Sequence, residues 1–340
     1  MLACRIAVLP PDSAGPAPQR LHTVVGGALA LLTLASFGIL VSRTLELNGG
    51  VWTTLWRDLR LALTVTHFGH VWWWRVPALA VAWAAWARGP RHRGAGPGWI
   101  MLVAIAAIAL TRSETGHPAD HGDFTLPVWI DWLHILAAAT WVGSLFGMTL
   151  AVFPRMARQG EHALARTAAM FQRLSTLSGA ALAVLLACGI FNSFQQLGRL
   201  DALWTTRYGV NLDVKLALVL VMIAIGAHNR YVKLPRLLGY AGLPAKPSLV
   251  SHWLRGYAPA AAYRDGAQVL RACAHAVLAE SLLGIAVIGA TATLIHSMPP
   301  ADMPPAHAGH AAAMRVHTSM DCPAGVTPPA TCVAKPDRGG

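Results

Sequence analysis

Charge is scarce in this sequence. Asp, Glu, Lys and Arg make up only 12% of 340 residues, where an ordinary soluble domain carries about a quarter. Acidic residues are the scarcer sign, 15 against 27 Lys and Arg, which leaves a formal charge of +12. No GxxxxGK[ST] phosphate loop occurs, and no polar stretch is long enough for a nucleotide-binding domain, which argues against ATP-driven pumping and against an enzyme. No segment alternates apolar and polar residues over about ten positions, which excludes the strands of a membrane barrel. Five cysteines are too few and too scattered for a disulfide scaffold. Cys322 and Cys332 alone sit near each other, and their spacing suits a disulfide or a pair of thiolate ligands equally. No internal repeat is evident.

Apolar runs dominate instead: 55% of residues are hydrophobic and the mean hydropathy is +0.47. A helix needs about 20 largely apolar residues to cross the hydrocarbon of a bilayer. Runs of that kind lie at Leu21–Val41, Phe68–Ala87, Gly98–Thr111, Val128–Phe153, Phe171–Phe194, Leu212–Asn229 and Cys273–His296, the third being short. They predict an all-α, polytopic membrane bundle of about seven transmembrane helices. The chain divides into a short cytoplasmic segment, 1–20, a transmembrane domain, 21–296, and an extracytoplasmic tail, 297–340, too poor in apolar surface to fold alone. Met1–Gln19 holds only a brief apolar stretch, Ile6–Leu9, closed by Pro10 and Pro11, so the first span is expected to serve as an uncleaved anchor. Val51–Val65 reads as a short amphipathic helix at the outer surface.

Basic residues concentrate in alternate loops, with clusters at Arg88, Arg91 and Arg93 and at Arg230, Lys233 and Arg236. Positive loops stay in the cytoplasm, so the N-terminus is expected inside and the C-terminus outside. That distribution also accounts for the net charge without nucleic acid as a partner; the partner it implies is membrane lipid.

With this orientation, candidate metal ligands converge on the outer face. His67 and His70 begin the second span, His117 and His121 precede the fourth, and His134 lies about two turns into it. Asp131 is three residues before His134, on the same helix face, where a carboxylate can orient an imidazole. The tail adds His296, Met298, Met303, His307, His310, Met314, His317 and Met320. Thioethers are soft ligands that select Cu(I), and imidazole binds either copper oxidation state, so the set points to copper. Solvated loop histidines and an incidental tail composition are the plainer alternatives. Three ionisable residues fall within spans, where charge is costly and usually faces a path or a partner: Arg75, close to a kink expected at Pro77, Lys215 and Glu280. Trp72, Trp73 and Trp74 suit an interfacial aromatic belt.

Several stretches, taken in order, resemble the copper resistance protein D family from about Gly49 to Pro300. They are Thr66-His67-Phe68-Gly69 leading to Trp72 and Arg75; Gly116-His117; Asp131-Trp132-Leu133-His134 leading to Trp141-Val142-Gly143; Thr206-Arg207-Tyr208-Gly209 with Leu212 and Lys215; Asn229-Arg230; and Glu280 with Gly284. The resemblance implies a bacterial inner-membrane protein, often of eight spans, that takes copper from a periplasmic CopC-like carrier and passes it inward. It also implies that His117 and His134 are functional. Ser144 stands where the family usually has a glycine, and the His/Met tail is longer than usual. A membrane b-type cytochrome and a copper-binding sensor or assembly factor are the competing functions, the first requiring a second histidine at the depth of His134.

Overall fold

The computed structural model describes residues 2, 4–8, 16–89, 96–120, 122–156, 161–244, 250, 265–295, 297 and 300–302. Its described residues are helical or irregular, with no strand among them. The principal helices are α1 (Pro16–Leu47), α2 (Leu55–Val65), α3 (His67–Trp73), α4 (Arg75–Arg88), α5 (Gly96–Ser113), α6 (Leu126–Gly147), α7 (Glu161–Leu197), α8 (Arg207–His228) and α9 (Gly266–Ile295). Six stretches are long and apolar enough to cross a membrane: those of α1, α5, α6, α7, α8 and α9. The apolar run at 68–87 is the exception, being divided between α3 and α4 at Trp74.

Proline explains where the helices open. Its ring clashes with the carbonyl four residues earlier and cannot donate to it. For Pro77 that carbonyl belongs to Trp73, so the break falls one turn upstream of the proline. α6 continues through a wide turn, Met148–Val152, just before Pro154. α8 does the same at Asn229–Lys233, just before Pro235, and then continues as Leu234–Tyr240. Wide turns of this type loosen the backbone ladder and frequently mark functional positions.

α6 is central, packing along α7 and also touching α5 and α9, while α4 pairs with α5 and α8 with α9. Leu145, Met148, Met222 and Val277 are fully buried in this core. Gly284 lets α9 approach α6: a β-carbon there would come within 3.0 Å of Val142, the close approach that small residues permit between membrane helices. Ser144 is buried, its hydroxyl donating to the Trp141 carbonyl at 2.8 Å, so this substitution leaves no polar atom unpaired. The N-terminal segment joins the core as well, since Leu2 and Val8 are buried and the turn Cys4–Val8 packs against α6 and α7. Exposed side chains such as Leu31, Leu34, Leu220 and Ile288 give the bundle an apolar outside, as a lipid-facing surface requires. The tryptophan triplet divides: Trp73 and Trp74 are exposed, but Trp72 is buried and donates to the Ser36 carbonyl of α1 at 3.2 Å, so it is a packing residue and not part of a belt.

Candidate functional site

Four helices meet around Asp131 and His134. Asp131 accepts from Ser113, just past the apolar part of α5, at 2.8 Å and from Asn192 of α7 at 3.2 Å. Both carboxylate oxygens are thereby engaged, and the sequence-based expectation that Asp131 orients His134 is corrected. The imidazole is held by the main chain instead, its Nδ1 lying 3.2 Å from the Leu185 carbonyl of α7. A carbonyl only accepts, so Nδ1 carries the proton and Nε2 keeps its lone pair. Gly189, one turn on, makes room for the ring: a β-carbon there would come within 3.2 Å of Cε1. Lys215 of α8 lies within electrostatic reach of both Asp131 and His134. Its ammonium makes no hydrogen bond or ion pair among the described residues.

A second polar cluster lies deeper, where α9 faces the wide turn after α8. The carboxylate of Glu280 is buried and accepts from the Asn229 side chain at 2.6 Å. Lys233 donates to the Ala272 carbonyl at 3.2 Å, within electrostatic reach of Glu280. Ser281 and Thr149 join hydroxyls at 3.2 Å, and the side-chain amide oxygen of Asn229 is buried with no partner among the described residues. Arg75 stands apart from this cluster. Its buried guanidinium donates through Nε to the Thr111 hydroxyl at 2.7 Å and through Nη2 to the Thr111 carbonyl at 3.3 Å, bracing α4 against α5.

The loop histidines pair with acids near the start of α3 and α6. His67 Nε2 is 3.3 Å from Asp123, and His117 Nδ1 is 3.3 Å from Asp120. Glu114 is buried nearby, accepting the Phe124 N–H at 3.2 Å through one oxygen, while the other has no partner among the described residues. Burial raises its carboxyl above the ordinary range, against the opposing pull of that N–H. Phe124 adopts φ 56°, a left-handed conformation unusual for a bulky residue. His70 is exposed. His121, His296, Met298, Met303, His307, His310, Met314, His317, Met320, Cys322 and Cys332 lie outside the described residues.

Among the described residues no three His, Cys, Asp or Glu side chains converge on one point. The structure therefore separates what the sequence grouped: His67 and His117 each pair with an acid in the loops, while His134 is inside the bundle. Reading the sequence alone missed Ser113, Glu114 and Asn192, and it named Asn229 only within a resembling stretch, not as the partner of Glu280. Asn192 was the most findable, as an amide within the apolar run of α7.

Comparison with known proteins now decides the family. The model of the copper resistance protein D-like N-terminal domain matches residues 2–126, and that of copper resistance protein D matches residues 168–294. The chain belongs to the copper resistance protein D family. Among relatives of this family, the copper transport protein CutJ of Bacillus subtilis is 28% identical over 62% of this chain. The chain spans only 39% of that relative's length. The inner membrane protein YebZ of Escherichia coli is 26% identical, over 62% of this chain and 72% of its own. Copper resistance protein D of Pseudomonas syringae is 28% identical, over 61% of this chain and 67% of its own. No solved structure matches.

Proposed function

We propose that this protein carries copper through the bacterial inner membrane, from the periplasm to the cytoplasm, without nucleotide hydrolysis, as part of copper resistance and homeostasis. The observation that carries this reading is His134. It is an imidazole inside a membrane bundle, fixed through Nδ1 by Leu185 and so left with an unprotonated Nε2, the form in which histidine binds a metal. A carboxylate one turn away on the same helix supplies the negative charge a cation needs in a low dielectric. Family membership, and relatives whose names include copper transport and copper resistance, support copper as the cargo.

In this scheme His67, His70, His117 and His121 collect copper at the outer mouth, together with the tail histidines and methionines from His296 to Met320. His134 takes the ion into the bundle. Glu280, held by Asn229, provides the next anionic stage, beside a turn loose enough to lend main-chain oxygens. A periplasmic CopC-like carrier is the proposed donor. The topology needs a seventh crossing, and α3 with α4 provides it: 22 residues from His67 to Arg88 rise about 33 Å, enough for the hydrocarbon despite the break. An odd number of crossings puts the two termini on opposite sides of the membrane, and the basic loops favour the N-terminus inside and the C-terminus outside.

Copper content of cells expressing the full chain, or a chain ending at Pro300, tests the reading. The full chain should raise cytoplasmic copper, and the shortened chain should do so only at higher external copper. Equal copper content with and without the protein, at confirmed membrane levels, would sink it.

A further inference from the structure

Two distant segments have the same construction. Ala62-Leu63-Thr64-Val65-Thr66-His67-Phe68-Gly69 and Ala202-Leu203-Trp204-Thr205-Thr206-Arg207-Tyr208-Gly209 share Ala, Leu, Thr and Gly and an aromatic at the same places. In each, the second threonine is extended, with φ and ψ of −89° and 149° at Thr66 and −120° and 153° at Thr206, and starts a new helix. Each accepts the N–H of the glycine three residues on, at 3.1 and 3.0 Å. Each donates back to the alanine carbonyl four residues earlier, at 2.6 and 2.7 Å. In each, a β-carbon on the glycine would overlap that same alanine carbonyl.

The correspondence continues into the helices. Gly69, Trp72, Leu79 and Ala82 are buried, and so are Gly209, Leu212, Val219 and Met222 in the same register. Nine residues past each threonine stands a cation, Arg75 in the first case and Lys215 in the second. Each elbow follows a long helix that closes on a glycine of positive φ, α1 at Gly49 and α7 at Gly198, and each elbow helix then pairs with the next, α4 with α5 and α8 with α9. This corrects the expectation that no internal repeat exists. Separated by the single crossing of α6, the two units enter the membrane in the same direction, as parallel repeats do.

We infer that Arg75 and Lys215 are one position in two copies of a three-helix unit, and that the second copy has turned its cation to the pathway. Lys215 is a tethered cation that offsets Asp131 between copper ions and is displaced when copper reaches His134. This rests on the copper reading above. In the first copy the cation is spent on its neighbour, since the Arg75 fork is fixed on Thr111. In the second copy the ammonium has no such acceptor among the described residues and stands within electrostatic reach of Asp131 and His134. A copper ion on His134 Nε2 puts a second positive charge beside the one carboxylate, and in a low dielectric two cations cannot share it at no cost. Lys215, on a flexible four-carbon stem, is the one able to move. Its return helps to expel the ion, so Lys215 lowers affinity in favour of release.

The test is Cu(I) binding to the purified full chain under a competing chelator, alongside Cu(I) uptake into liposomes. Lys215→Met and Lys215→Gln should lower the half-saturating copper concentration on the order of tenfold while reducing maximal uptake. Lys215→Arg should restore weak binding, and thermal melting of each variant controls for folding. Neutral variants that bind copper as the wild type does, or more weakly, overturn the inference, as does a wild type that binds none. A wild type that binds copper at His134 yet takes none up defeats the transport reading alone, and the affinity comparison still decides Lys215.

Discussion

His134 owes its orientation to a carbonyl 51 positions along the chain, which no local spacing in the sequence could reveal. Asp131, three residues before it, suggested itself as the orienting group but is engaged by Ser113 and Asn192. The residue types were legible; their pairing depended on how α5 and α7 pack on α6. Glu114 is a second such case, an acid unremarkable in the sequence and buried in the structure with one oxygen lacking a partner among the described residues. Burial raises its carboxyl above the usual 4.5, so the folded protein holds this proton more tightly than the unfolded chain. Its ionised form therefore weakens the fold at neutral pH, and the penalty is relieved as the pH falls through the raised value toward 4.5. Melting temperature in detergent should accordingly rise over that interval in the wild type and rise less in Glu114→Gln. Parallel pH profiles for the two proteins would contradict this assignment.

The elbows set the scale of the elements, because each starts a helix at a fixed angle through one hydroxyl and one bare α-carbon. Gly69→Ala and Gly209→Ala should each abolish accumulation of folded protein, since the added methyl overlaps main-chain atoms that cannot retreat. Thr66→Ala and Thr206→Ala remove only a cap and should each cost about 1 kcal/mol. Fluorescence-detected gel filtration of the four variants would check this ranking, and well-folded alanine variants at the glycines would refute it. Most helices were legible as apolar runs of membrane-crossing length. The break at Trp74 was not, because proline acts one turn upstream of itself, and the kink was expected at Pro77. The repeat escaped notice because its few identities are spread over eight residues and the rest of its pattern is burial, which only packing reveals.

Over the whole molecule, function depends on which side each end of the bundle faces. Thr54→Cys, before α2, and Gly89→Cys, after α4, each in a chain whose native cysteines are replaced by serine, put single thiols on either side of the broken helix pair α3–α4. With a seventh crossing there, an impermeant thiol reagent should label the first from outside and the second only after lysis; equal labelling from one side would leave six crossings. Copper movement is the central claim, and the direct measurement is the initial rate of Cu(I) influx into liposomes that hold a trapped copper chelator and the full chain, wild type or His134→Ala. The account predicts saturable influx for the wild type and at least a tenfold lower rate for His134→Ala at equal incorporation. Influx unchanged by the substitution, or no influx above protein-free liposomes for either protein, would contradict it.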